Sequence, residues 1–203
     1  MVLDIHKLTS DLRSLPHKKQ VAFAASVAER LSPNYEAFSR GSSWGDPRVL
    51  RRGLDAVWAF VRGGHLAPDA VKSLQRAITK VTPEPGEFES ALASAALDAA
   101  NAVNESLTCC LRQDPKRVAE IAGFARDTID MFIQVRDGLQ YGRADFETHI
   151  QRDPLMLNEL RRQADTLAWL RANELENSDH LDAFRSVAEL SHSAIPVPTE
   201  GQS

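Results

Sequence analysis

Residues 87–141 read EFESALASAALDAANAVNESLTCCLRQDPKRVAEIAGFARDTIDMFIQVRDGLQY. Phe88, Leu92, Ala96, Ala99, Val103, Leu107 and Cys110 recur at intervals of three and four, the spacing of one helix face. Asp114-Pro115 then repeats a helix-start signal: a capping carboxylate, followed by a residue whose missing N–H costs nothing in the first turn. Val118, Ala122, Ala125, Ile129, Phe132 and Ile133 continue at the same spacing. The stretch therefore predicts two long helices, from about Glu87 to Arg112 and from Asp114 to about Tyr141.

The same pattern extends outward. Leu8, Leu12 and Leu15 predict a first helix over Asp4–Leu15. Pro16 opens a second, whose Val21, Ala24, Ala25, Ala28 and Leu31 form a wide stripe of mostly small residues. Ser32 and Pro33 are expected to end it and restart a short helix at PNYEAF. Asp46-Pro47 opens a helix to Arg62, with Leu50, Leu54, Val57, Trp58 and Val61 inward and Gly53 placed for close packing or merely tolerated. A helix over Pro68–Lys80 follows, then the TPEPGE loop. Beyond residue 141, a short segment begins at Asp145, a long helix at Asp153-Pro154 and a last short one near Ser178. No segment alternates as a strand would. The fold class is all-α: a single irregular helical bundle with long central helices and shorter peripheral ones, over residues 1–193, with 194–203 expected to be a mobile tail.

The chain of 203 residues is long enough for one sizeable core, and 43% hydrophobic with 26% charged residues fits a globular rather than a disordered chain. Its net charge of −4 is unevenly spread. Residues 1–80 hold 13 Lys and Arg against 7 Asp and Glu, and residues 81–203 hold 11 against 21. Attraction between the halves within one domain explains this better than a nucleic-acid-binding face, because no basic motif accompanies it. MVLDIHKL lacks the basic start and apolar run of a signal peptide, and no run of about 18 apolar residues predicts a membrane span. The expectation is a cytoplasmic protein that binds neither membrane nor nucleic acid.

Several pieces carry a resemblance: QVAFAASVAERLSPNYEAF, GDPRVLRRGLDAVW and ALDAANAV in that order, then RDPLMLNELRRQADTLAWL. Together they resemble the YjaG-like bacterial family of uncharacterised all-helical proteins, over nearly the whole chain. The resemblance implies the helical fold, and it implies no activity, substrate or cofactor.

The residues with chemical potential divide into several sets. Glu29, Arg30, Asn34 and Tyr35 fall at one corner, where they could hold a small anionic or zwitterionic ligand; the structural alternative has Arg30 on helix-end carbonyls, Asn34 fixing the turn and Glu29 paired with Arg51. Asp98 lies among Ala95, Ala96, Ala99 and Ala102, so it is either on a solvated stripe or buried and paired, with Arg51 or Arg52 as the expected partner. Trp44, in GSSWGD, is either a contact anchor or a lid folded over the helix ends, and the lid is preferred. Glu189 and His192 have a metal-compatible spacing, but a di-metal bundle needs two such pairs and more carboxylates, so no metal is expected. Cys109 and Cys110 read as small buried apolar residues rather than nucleophiles. No glycine-rich phosphate loop or nucleophile elbow occurs. The favoured function is a non-enzymatic protein acting through protein contacts, as a monomer with a weaker tendency to form a homodimer through its alanine-rich central face. The rival is a small-molecule-binding protein or enzyme using Glu29, Arg30, Tyr35 and Asp98. No cofactor is implied.

Overall fold

The computed structural model of the chain describes residues 5–142, 144–175, 178–190 and 194–197, and the side chains of Ser178, Glu189 and Leu190 lie outside that description. Among the described residues there are nine α-helices: α1 (Ile5–Arg13), α2 (His17–Ser42), α3 (Pro47–Val61), α4 (Pro68–Lys80), α5 (Ala93–Leu111), α6 (Pro115–Asp137), α7 (Phe146–Arg152), α8 (Pro154–Ala172) and α9 (Ser178–Leu190). There is no strand among the described residues. The architecture is the expected all-α bundle.

α2 is the axis of the bundle. It packs against α3, α5, α6, α8 and α9, and is buried almost continuously from Lys19 to Leu31. Small residues make this possible. Ala22, Ala24, Ala25 and Ala28 on α2, and Ala95, Ala96, Ala99, Ala100 and Ala102 on α5, are all buried, so the two helices meet at short range. The alanine face expected to serve a homodimer is thus buried inside the chain.

The Asp-Pro signals act as expected. Asp46 accepts from the Arg48 amide, Asp114 from the Arg117 amide and Asp153 from the Leu155 amide, each with proline in the first turn. α6 stops four residues before Tyr141, because Gly138 takes a left-handed φ of 59° and its amide and that of Leu139 close back onto Val135 and Gln134.

Further boundaries differ from the sequence reading. α2 does not break at Ser32-Pro33: it runs through Pro33 to Ser42. An interior proline costs about 3 kcal/mol, yet the turns on both sides of it are held by buried Leu31, Tyr35 and Phe38, and tertiary packing overrides the local signal. α5 begins at Ala93 rather than Glu87. Residues Pro85–Glu87 form one 3-10 turn, and Phe88 has an extended backbone. Phe88 kept its place in the apolar pattern because it packs against Phe38 and Trp44, with ring centroids 5.0 and 5.1 Å away. At the other end, Ala194 and Ile195, assigned to the tail, are buried, and the Ala194 amide donates to the Arg30 carbonyl. Residues 198–203 lie outside the described residues.

Candidate functional site

Glu29 and Arg30 are neighbours in the middle of α2, and both are buried. They point to different neighbours, and each builds its own cluster.

On one side, Arg51 of α3 donates to both oxygens of Glu29, at 2.8 and 2.7 Å, and the Trp58 indole N–H donates to Oε1 at 2.7 Å. Arg51 also reaches Asp55 at 3.1 Å. Asp55 in turn accepts from Arg185 of α9, whose guanidinium lies 5.8 Å above the Trp58 ring. The expected Glu29–Arg51 pair is therefore present, and Trp58 completes it. Both carboxylate oxygens are occupied, as a buried carboxylate requires.

On the other side, Arg30 does not bond helix-end carbonyls of a broken α2. Its Nε and Nη2 donate to the two oxygens of Glu159 on α8, at 3.3 and 2.7 Å, and its Nη1 donates to the Ser26 carbonyl at 3.0 Å. The Gln163 amide adds bonds to Glu159 at 2.9 Å and to the Ala122 carbonyl at 3.1 Å. Arg30 and Glu159 are 3% and 1% exposed, a fully buried ion pair tying α2 to α8. Glu159 and Gln163 were missed in the sequence. They occupy positions of the apolar stripe Met156, Leu160, Leu167 and Leu170, and polar residues at stripe positions were the signal that a buried network was there.

The remaining candidates lie apart from these two clusters. Tyr35 is buried, and its hydroxyl donates to the Val81 carbonyl at 2.5 Å. Burial raises its pKa against the hydrogen bond from the Asp46 amide. Gly45 is required beside it: φ is +83°, and a Cβ there would fall 2.5 Å from the Tyr35 hydroxyl. Asn34 is buried within α2. Trp44 is half-buried, edge-on to Phe38 at 6.0 Å and to Phe88, which is the lid arrangement. The space beside Tyr35 and Arg51 amounts to about 10 Å³, roughly enough for one water and for no larger ligand.

Asp98 is not paired with Arg51 or Arg52. Its partner is the Thr128 hydroxyl of α6, at 2.8 Å. Burial lifts its pKa from 3.8 to about 6, against that hydrogen bond, and the nearby Asp127 adds to the rise. The reason for the difference is helix order: α3 packs on another side of α5, where Gly53 approaches Val103 and Leu107.

Cys109 and Cys110 are buried, and burial pushes both thiols up to about 12. Neither supplies a thiolate at neutral pH. Among the described residues, no three His, Cys, Asp or Glu side chains gather as a metal site would require. Glu189 and His192 fall on side chains outside that description. Among the described residues, no helix is long and apolar enough to cross a membrane.

Open space of ligand size lies elsewhere. A groove of about 590 Å³ runs between α2, α8 and α9. Trp169, Phe184, Val187 and Ala188 line it, and so do Arg30 and Arg162. Trp169 and Phe184 stack face to face, with centroids 4.4 Å apart. A more polar cleft of about 470 Å³ lies between the end of α6, α7 and the start of α8. There Arg136 bonds Asp137 and Asp153, and His149 meets Asp137 at 2.7 Å.

Comparison with known proteins adds the family. Residues 7–194 match the family model described as protein of unknown function, DUF416. The chain is 24% identical, over 183 residues, to the uncharacterized protein YjaG of Escherichia coli strain K12, covering 90% of this chain and 89% of that one. Its fold is similar to the 1.91 Å crystal structure of a DUF416 family protein from Shewanella baltica OS155, with a TM-score of 0.83 at 21% identity, covering 94% of this chain and 98% of that chain.

Proposed function

The chain belongs to the DUF416 family, and from that premise we propose that it is a non-enzymatic cytoplasmic protein that acts by binding, with the groove between α2, α8 and α9 as its working surface. One observation carries this reading: the buried charges of Glu29 and Arg30 are locked into closed pairs, while the groove between α2, α8 and α9 is open, of ligand size and lined mainly by apolar side chains. Glu29 has both oxygens engaged and Arg30 is held by Glu159 and Ser26. A general base or nucleophile needs a free, correctly tuned group within reach of a substrate. Neither cluster offers one, and both thiols are protonated. The groove instead has the size and the mixture of aromatic, aliphatic and few polar groups typical of binding pockets.

The rival, an enzyme or small-molecule site at Glu29, Arg30, Tyr35 and Asp98, has less support. These residues use four separate sets of partners, and about 10 Å³ of space is open beside Tyr35.

Thermal-shift screening against a broad metabolite and peptide set tests the proposal when run beside Ala183→Trp, which places an indole in the groove. Stabilising compounds whose effect vanishes in the variant are the expected result. Stabilisation unchanged by Ala183→Trp, or turnover of a stabilising compound, contradicts it.

A further inference from the structure

Met131 and Val135 stand one helical turn apart on the outer side of α6, 47% and 65% exposed. Phe124, two turns before Met131, is half-buried and continues the line. From Phe124 to Val135 the strip spans roughly 17 Å, three helical turns. Single apolar side chains scattered on a surface need no partner. A run at intervals of seven and four along one helix is different, because it is the register against which a second helix packs.

Acidic groups border the strip. Asp127 lies one turn before Met131, and it repels both Asp98 of α5 and Asp130 of its own helix. Asp98 accepts from the Thr128 hydroxyl at 2.8 Å and Asp130 from the Gln134 amide at 2.6 Å, and both donors are neutral. Arg126 offsets part of the charge at Asp127. α5 contains no lysine or arginine. Arg136, beside Val135, is engaged by Asp137 and Asp153. Even with Arg126 set wholly against Asp127, the border of the strip keeps a negative excess.

We propose that the outer face of α6 docks a basic amphipathic helix of a partner protein: its apolar side chains lie on Phe124, Met131 and Val135, and the lysines or arginines on its flank meet Asp98, Asp127 and Asp130. The sign of the charge selects this occupant over a second copy. Pairing α6 with the same face of another copy sets the acidic borders of both chains into one interface, and like charges across an interface oppose it. Met131 suits the role, since its unbranched, polarizable side chain repacks around the partner's side chains. The apolar strip supplies affinity, while the carboxylates speed encounter and reject partners of the wrong sign. None of these residues lines the α2–α8–α9 groove, so the two surfaces are independent.

The test titrates the full chain into a labelled synthetic peptide of about five helical turns, with leucines at intervals of three and four and lysines between them. A twin with glutamates in place of the lysines and a scrambled peptide of the same lysine and leucine composition are run beside it, read by fluorescence anisotropy. The protein variants are Met131→Ser with Val135→Ser, Asp127→Asn with Asp130→Asn, and Ala183→Trp in the groove. The patterned lysine peptide is expected to bind about tenfold more tightly than the scrambled one, with no measurable binding of the glutamate twin. Both double variants are expected to weaken it at least fivefold, the Asp127→Asn, Asp130→Asn pair also flattening its salt dependence, and Ala183→Trp is expected to change nothing. Equal binding of patterned and scrambled peptides, or affinity unchanged in Met131→Ser with Val135→Ser, leaves only charge attraction and overturns the proposal. No binding of the lysine peptide overturns it too. Loss of binding in Ala183→Trp places the peptide in the groove, which contradicts the α6 assignment and leaves the groove reading standing. Sedimentation of the protein alone is the last arm: a dimer that Met131→Ser with Val135→Ser dissolves assigns the strip to a second copy and overturns the proposal.

Discussion

The two faces of α2 at Glu29 and Arg30 begin from adjacent residues and end in different environments. Glu29 meets Arg51, whose side chain is 38% exposed, and the indole of Trp58. Arg30 meets Glu159, and both are almost wholly out of water. On the Glu29 side a partner can swing into solvent if the pair is broken. On the Arg30 side neither partner can, and Arg30 itself borders the groove. The difference teaches that the energetic weight of an ion pair is set by where its survivor goes when its partner is lost.

The largest expected effect follows from that contrast. Glu159→Ala strands the Arg30 guanidinium and removes one of the two acceptors of Gln163, and is expected to cost about 3–5 kcal/mol in urea unfolding. Replacing both members, Arg30→Met with Glu159→Leu, is expected to restore most of that stability, because an apolar pair of similar volume needs no charge compensation. Glu29→Gln is a milder lesion. Arg51 keeps Asp55 and reaches water, and the glutamine carbonyl still accepts from Trp58. The expected loss in the same assay is about 1–2 kcal/mol. Equal losses at the two sites contradict the distinction between them.

The third prediction has the opposite sign. The Asp98 pKa is raised from 3.8 to about 6 in the folded chain. Between those values the native state holds a proton that the unfolded chain has released, so this group's contribution to stability falls as pH rises from about 4 to 6 and is flat beyond. Asp98→Asn keeps an acceptor for Thr128 and removes the charge. It is expected to flatten that stretch of the pH profile and to stabilise the protein at pH 7 by about 1 kcal/mol, the shift being discounted for partial exposure. Destabilisation at pH 7 points to a partner for the Asp98 charge.

Much of this was legible in the sequence and some was not, for identifiable reasons. The starts at Asp46-Pro47, Asp114-Pro115 and Asp153-Pro154 are local chemistry, a cap and a fixed φ, and they needed no tertiary information. The continuation of α2 through Pro33 was not legible, because packing at Tyr35 and Phe38 decided it. Phe88 kept the helical spacing of α5 without being helical, since periodicity records burial and not backbone state. The Glu29–Arg51 pair was found because α2 and α3 are consecutive long helices joined by a short turn. Asp98 was given the wrong partner because the choice depends on which side of α5 each helix occupies. The groove was invisible, as it is assembled from α2, α8 and α9 across more than 150 residues of chain.

The smallest effect tests how tightly the closed side is packed. A Cβ at Gly53 would come within 2.9 Å of Val103 Cγ1 and 3.0 Å of Ile78 Cδ1. Gly53→Ala sets this crowding against a helix-propensity gain of about 1 kcal/mol. A net loss of up to about 1 kcal/mol in urea unfolding is expected, and a clear gain shows that α3 and α5 have room to adjust.

Hydrogen exchange measured by mass spectrometry across α2, α3, α5 and α9 compares the closed and open sides most directly. The amides from Tyr35 to Arg40 are predicted to be protected nearly as well as those of α5, because Tyr35 and Phe38 are packed and α2 is unbroken there. Those of α9, which lines the groove, are predicted to exchange faster. Near-free exchange from Tyr35 to Arg40, with α9 as protected as α5, contradicts the account and moves the working surface to the corner at Glu29, Tyr35 and Trp44.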